Sequence, residues 1–145
     1  EELFISGHYS EVSMKNYLPL LAERIIANFP NRDIVKLNVT SHDFALNEKI
    51  ISSLGLIVNE LLTNIMKYAF VGKDSGDIYI SLLKKNDRVF LTIDDNGNGM
   101  PNDTTHLKHS GFGLTLVDTL TKQLDGKISF ESNNGTKVIL EFNAN

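Results

Sequence analysis

NELLTNIMKYAF, residues 59–70, places Glu60, Asn64, Lys67 and Tyr68 at i, i+4, i+7 and i+8. Read together with the residues upstream, it predicts one long helix over 47–70. Asn47 serves as its N-cap, and Leu54, Val58, Leu61, Leu62, Ile65 and Ala69 line a single apolar stripe. At about 100° per residue the polar side chains leave a shared face more than a third of a turn from that stripe. A solvated helix face would account for polar residues at these positions. Their chemistry nevertheless forms a working set: a carboxylate able to act as a base, a neutral amide oxygen for a hard cation, an ammonium for phosphate charge and an aromatic ring for stacking. Magnesium takes oxygen ligands, keeps several waters and shares substrate phosphates, so one asparagine beside a nucleotide would suit it.

The flanking sequence sets this helix in a fold. Residues 18–29 carry Leu18, Leu21, Ala22, Ile25 and Phe29 at helical spacing, with Pro19 expected in the first turn. Ile34, Val35, Leu37 and Val39 suggest a short strand near 33–40. From residue 77 the period changes to two, and DIYISLLKK and RVFLTI, flanking Asn86-Asp87, read as an antiparallel hairpin. A polar stretch at 100–110 precedes a further helix from about Gly113 to Leu124. KISFES and TKVILEF then form another hairpin through Asn133-Asn134-Gly135, because Asn-Gly favours the positive dihedrals such turns require. Helices gathered on one face of a mostly antiparallel sheet predict an α+β two-layer sandwich.

Length and composition limit the remaining possibilities. A chain of 145 residues with 41% hydrophobic residues fits one domain with a continuous core. A net charge of −4 without a basic stripe leaves no electrostatic footprint for nucleic acid or an anionic membrane, so any anionic ligand must be held by local groups. The absence of cysteine excludes disulfides, thiolate metal sites and thiol nucleophiles. A soluble, cytoplasmic protein is expected. No apolar stretch approaches the ~20 residues of a bilayer span, and no leader of the signal-peptide type opens the sequence. A first residue Glu1 rather than Met suggests a fragment of something longer.

DDNGNGMP, residues 94–101, reads as a turn, a calcium loop or a wall of a nucleotide pocket. Asp94, Asn96, Asn98 and Gly99 match the first, third, fifth and sixth positions of an EF-hand loop. The twelfth position needs a bidentate Glu and holds Thr105, and the motif follows a β-run rather than a helix. In SGFGLTLVDTL, residues 110–120, Gly111 and Gly113 precede a helix whose unpaired amides and dipole would seat a phosphate. Leu116 stands where a Rossmann fingerprint needs glycine, and Gly72-Lys73-Asp74 breaks the P-loop pattern at its last position. His106 and His109 lack a third metal ligand and read as loop residues. Gly135-Thr136 alone is a hairpin end.

Together and in this order, NELLTNIMKYAF, DDNGNG, GFGL and GT resemble the N box and the glycine boxes of the ATP-binding domain of sensor histidine kinases. That domain lies within the wider superfamily of gyrase, Hsp90 and MutL ATPases. The similarity spans roughly residues 14–142. LGLIVNELLTN resembles the subclass with Glu at the first N-box position, while a related group marked by a Trp-containing motif is excluded because the chain has no Trp.

The resemblance implies a Bergerat ATP-binding fold with ATP and Mg2+ as ligands. It implies Asn64 as the Mg2+ ligand, Glu60 as a base or water-orienting group, and Lys67 as a neutraliser of phosphate charge. Tyr68 would pack on the adenine or ribose, and Asp95 would accept from the adenine 6-amino group. Gly97 and Gly99 would give the base clearance, and Gly111 and Gly113 would meet the phosphates. Met100, Ser110, Phe112, Leu114 and Thr136 complete the implied nucleotide-binding set. Residues 100–110 would form a short lid, with Lys108 and His109 but no Arg and no Phe-rich box.

Residues 1–13 are expected to be the remnant of an upstream dimerisation region, with His8 in a turn, and 14–145 the ATP-binding domain. The implied partners are the protein's own histidine-bearing dimerisation domain, as a homodimer in the full-length protein, and a response regulator. No nucleic acid and no direct membrane insertion are expected. The rivals are a regulatory module of the anti-sigma or serine-kinase type and a nucleotide-gated conformational ATPase.

Overall fold

A computed structural model describes residues 11–99, 114–132 and 134–144. Strand β1 (Glu11–Ser13) leads directly into helix α1 (Met14–Ala27), and a 3-10 turn (Arg32–Ile34) precedes β2 (Val35–Ser41). A short β3 (Ala45–Asn47) feeds α2 (Glu48–Asn64), which continues as a π-turn (Ile65–Ala69). The hairpin β4 (Gly76–Lys85) and β5 (Arg88–Asp95), helix α3 (Leu114–Gln123), and the hairpin β6 (Lys127–Ser132) and β7 (Thr136–Asn143) follow. The main sheet has the order β2-β4-β5-β7-β6, parallel between β2 and β4 and antiparallel elsewhere.

Strand alternation explains the two layers. Along β5, Val89, Leu91, Ile93 and Asp95 are buried, while Arg88, Phe90, Thr92 and Asp94 alternate with them at partial exposure. The buried face meets the apolar side of the helices, so Leu54, Ile57 and Leu62 of α2 share one core with Ile78, Ile80, Leu82, Leu91 and Phe142 of the sheet. Each such side chain contributes about 1.5–3 kcal/mol of burial. Both predicted hairpins form. Asn86 takes φ 55° in the first, and Asn134 and Gly135 take φ 57° and 123° in the second.

Some features depart from the sequence reading. Helix α1 begins at Met14, not near residue 18, so Pro19 lies in its second turn rather than its first. An interior proline costs about 3 kcal/mol. Full burial of Met14 and Leu18, and the bond from the Met14 amide to the Phe44 carbonyl at 2.8 Å, offset that loss and extend the helix upstream. Residues 11–13, for which no strand is predicted, form β1 and pair antiparallel with β3. Val12 and Leu46, opposite each other in that pair, are both 1% exposed. Finally, the helical run Glu48–Ala69 is long and apolar enough, at a mean hydropathy of 1.2, to cross a bilayer by composition alone. Here it is the central core helix, which is the reason for its apolar character.

Candidate active site

The site is built where α2, β4, β5 and β7 end or begin together. The Asn47 side chain caps α2 by accepting from the Ile50 amide at 2.9 Å, as the sequence predicts. Along α2, Glu60 and Asn64 are half-buried neighbours one turn apart. Lys67 and Tyr68 lie beyond them in the π-turn and are exposed, Tyr68 to 49%. The helix thus does not keep one period through this motif. A π-turn closes bonds from i to i+5 and recurs at functional sites, and here two asparagines take its carbonyls. Asn31 Nδ2 donates to the Met66 carbonyl at 3.0 Å, and the Asn98 amide donates to the Ala69 carbonyl at 2.7 Å.

Asp95 ends β5 between Ile78 of β4 and Thr136 of β7. At 3% exposure it is the sole buried charged side chain among the described residues, and no described Lys, Arg or His forms an ion pair with it. The other buried polar residue, Thr121, is satisfied within its own helix by the Val117 carbonyl at 2.7 Å. Asp95 Oδ1 accepts from the Gly97 amide at 2.8 Å. Burial raises the Asp95 pKa above the usual carboxylate range, opposed by the hydrogen bonds from the Gly97 and Thr136 backbone and reinforced by the neighbouring Asp94 charge. A carboxylate has about four lone-pair positions, so two amides leave it able to accept from a further donor.

The glycines around Asp95 are dictated by close approach. A Cβ on Gly97 would fall on the Ala69 carbonyl and within 2.7 Å of the Ala69 Cβ, which brings the loop backbone flush against the end of the helix. A Cβ on Gly135 would strike the Asp95 carbonyl, at a φ that L side chains rarely adopt. The structure therefore brings Asp95, Gly97 and Thr136 together, with Gly99 at φ 80° following in the same loop. Leu114 opens α3 and is buried. Met100, Ser110, Gly111, Phe112 and Gly113 lie outside the described residues, as do the expected lid, His106, His109 and His8. Sequence reasoning missed Asn96, Asn98 and Asp77, which tie the loop down. The only available signal was the tendency of asparagine to bond nearby backbone in turns.

Residues 50–145 match the family described as histidine kinase-, DNA gyrase B-, and HSP90-like ATPase. The chain belongs to this family. Among its relatives, this ATPase domain is 26% identical over 114 residues to blue-light-activated histidine kinase 2 of Erythrobacter litoralis, covering 78% of this chain and 33% of that protein. It is 24% identical over 128 residues to the anti-sigma F factor of Clostridium perfringens, covering 80% of this chain and 90% of that one. The solved blue-light activated histidine kinase of Erythrobacter litoralis superposes with a TM-score of 0.85 at 24% identity, over 92% of this chain and 42% of that chain. The ATPase domain thus spans about a third of the kinase relative's length and nine-tenths of the anti-sigma factor's. The two-layer fold expected from the sequence is shared with that solved kinase.

Proposed function

We propose that this domain binds Mg-ATP and serves as the catalytic domain of a histidine kinase, donating the γ-phosphate to a histidine on a separate dimerisation domain. The observation that carries the nucleotide reading is Asp95, a buried carboxyl with no ion-pair partner among the described residues. Two backbone amides already offset its burial, and its remaining lone pairs would accept from the 6-amino group of adenine. Guanine would bring an acceptor oxygen to the carboxylate and leave buried groups unpaired. Gly97, pressed on Ala69, holds the loop backbone flush against the end of the helix beside Asp95.

At the other end, Asn64 offers an amide oxygen that fits Mg2+, with exposed Lys67 and Tyr68 beyond it for the phosphates and the base or ribose. When bound, the metal would supply charge neutralisation on the phosphates. Glu60, one turn from Asn64, is placed to orient the attacking imidazole or take its proton. Catalysis would consist mainly of positioning and charge neutralisation. A cytoplasmic setting, a homodimer formed through the dimerisation domain and a response regulator as final acceptor complete the proposal.

The second reading, a regulatory module of the anti-sigma or serine-kinase type, is favoured by the 90% coverage of the anti-sigma F factor. One experiment separates the two. The chain is incubated with ATP labelled at the γ-phosphate and a helical-hairpin domain bearing an exposed histidine. Label that is lost in acid and kept in alkali is expected. Label that survives acid, or transfer to a serine-bearing partner alone, would replace the kinase reading with the second.

A further inference from the structure

Asn96 and Asp77 exchange three hydrogen bonds where β4 begins and β5 ends. Asn96 Oδ1 accepts from the Asp77 amide at 2.8 Å, the Asn96 amide donates to the Asp77 carbonyl at 3.3 Å, and Asn96 Nδ2 donates to Asp77 Oδ2 at 3.0 Å. Two residues on, Asn98 grips the opposite side. Its amide donates to the Ala69 carbonyl at 2.7 Å and its Nδ2 to the Val71 carbonyl at 3.0 Å. Gly97 sits between these anchors with its amide on Asp95 Oδ1. The segment 95–98 is therefore fastened at once to the first residues of β4 and to the residues that end the π-turn.

We propose that Asn96 and Asp77, with Asn98 as the second anchor, are positioning residues for base recognition. They hold Asp95 and Gly97 in the shape that accepts the base, so the integrity of this clamp sets the affinity of the site. The inference rests on the nucleotide reading above. A loop that spends only part of its time in the competent shape binds more weakly by the inverse of that fraction. If the clamp did nothing beyond satisfying strand-end polar groups, breaking it would lower stability and leave affinity unchanged.

A side-chain exchange tests this. Asn96→Asp keeps an acceptor for the Asp77 amide but sets carboxylate against carboxylate where nitrogen and oxygen now stand 3.0 Å apart. Asp77→Asn keeps an acceptor for Asn96 Nδ2. The double variant restores the donor–acceptor pair with the roles exchanged. Two readouts are taken: calorimetric affinity for Mg-ATP, and amide hydrogen exchange at Asn98 without nucleotide. Asn96→Asp is expected to weaken Mg-ATP binding about tenfold and to speed exchange at Asn98, Asp77→Asn to stay within about twofold, and the double variant to return both readouts close to the parent. A folded Asn96→Asp variant with parental affinity, or a double variant no better than Asn96→Asp, would overturn the proposal. A parent that binds no adenine nucleotide would defeat the functional reading instead. The exchange data would then decide the clamp, with unchanged exchange at Asn98 in Asn96→Asp overturning it.

Discussion

The two ends of the candidate site follow opposite designs. On the α2 side, Glu60 and Asn64 are half-buried, and Lys67 and Tyr68 project from the π-turn toward solvent. On the β5 side, Asp95 is sealed between two strands and backed by glycines that admit no side chain. The difference teaches that the exposed end suits a charged, hydrated ligand group, for which water can substitute at modest loss. The buried end suits a flat group recognised by shape and one hydrogen bond, for which nothing substitutes. On the proposed function, chemistry belongs to the first end and selectivity to the second.

The largest expected effect separates chemistry from binding. Glu60→Gln should slow phosphoryl transfer to an added dimerisation domain by about a hundredfold, in the range of general-base loss, with calorimetric affinity for Mg-ATP near normal. An undiminished rate would make Glu60 a structural residue and erase the chemical half of the comparison.

Asp95→Asn should weaken ATP binding by about ten- to a hundredfold, the range for a hydrogen bond to a charged group, and reduce preference over GTP. Unchanged affinity for both nucleotides would sink the assignment. The same variant carries a stability prediction of opposite sign. Because burial raises the Asp95 pKa, the folded state holds the proton more tightly than the unfolded one. The contribution of Asp95 to the stability of the nucleotide-free parent should then be greatest below the usual carboxylate range and decline as pH rises through it to the raised folded-state value. Denaturant unfolding of parent and Asp95→Asn should show the difference growing in the variant's favour over that window and levelling off above it. A constant difference at all pH values would contradict the role assigned to burial.

Gly97→Ala probes the closeness of the buried end. The new methyl group meets the Ala69 backbone, so a loss of about 1–3 kcal/mol is expected from denaturant midpoints. Stability equal to the parent would show that the loop can withdraw. Asn64→Ala should have the smallest effect. Water can take the place of one ligand on a hydrated magnesium at a cost of about 0–2 kcal/mol, so Mg-dependent affinity should fall modestly while metal-free adenosine binding is spared. Magnesium titrations that coincide for variant and parent would remove Asn64 as the ligand.

Much of this was legible in the sequence because it rests on local rules. The Asn47 cap, the apolar stripe of α2, the period of two from residue 77 and the Asn134-Gly135 turn each express backbone preferences that need no distant partner. The motifs containing Asp95, Gly97 and Thr136 were equally legible as a set. What escaped depends on long-range pairing. Strands β1 and β3 are three residues each, too short to display a period, and they form because Val12 and Leu46 find each other across the chain. The π-turn leaves the apolar stripe intact and so carries no sign of itself in residue spacing. Asp77 and Asn98 bond largely to or through main-chain groups, which every residue possesses, so neither stands out by type.

That π-turn has a consequence for how the two ends stay in phase. A regular helix through residues 65–69 would withdraw the Met66 and Ala69 carbonyls from Asn31 and Asn98, and each residue of offset turns whatever follows by about 100°. The surplus residue held in that turn therefore works as a shim. It fixes the rotational setting of Lys67 and Tyr68 against the loop that carries Asp95, so a deletion of one residue here, harmless to composition and hydropathy, would leave both halves of the site intact and facing apart.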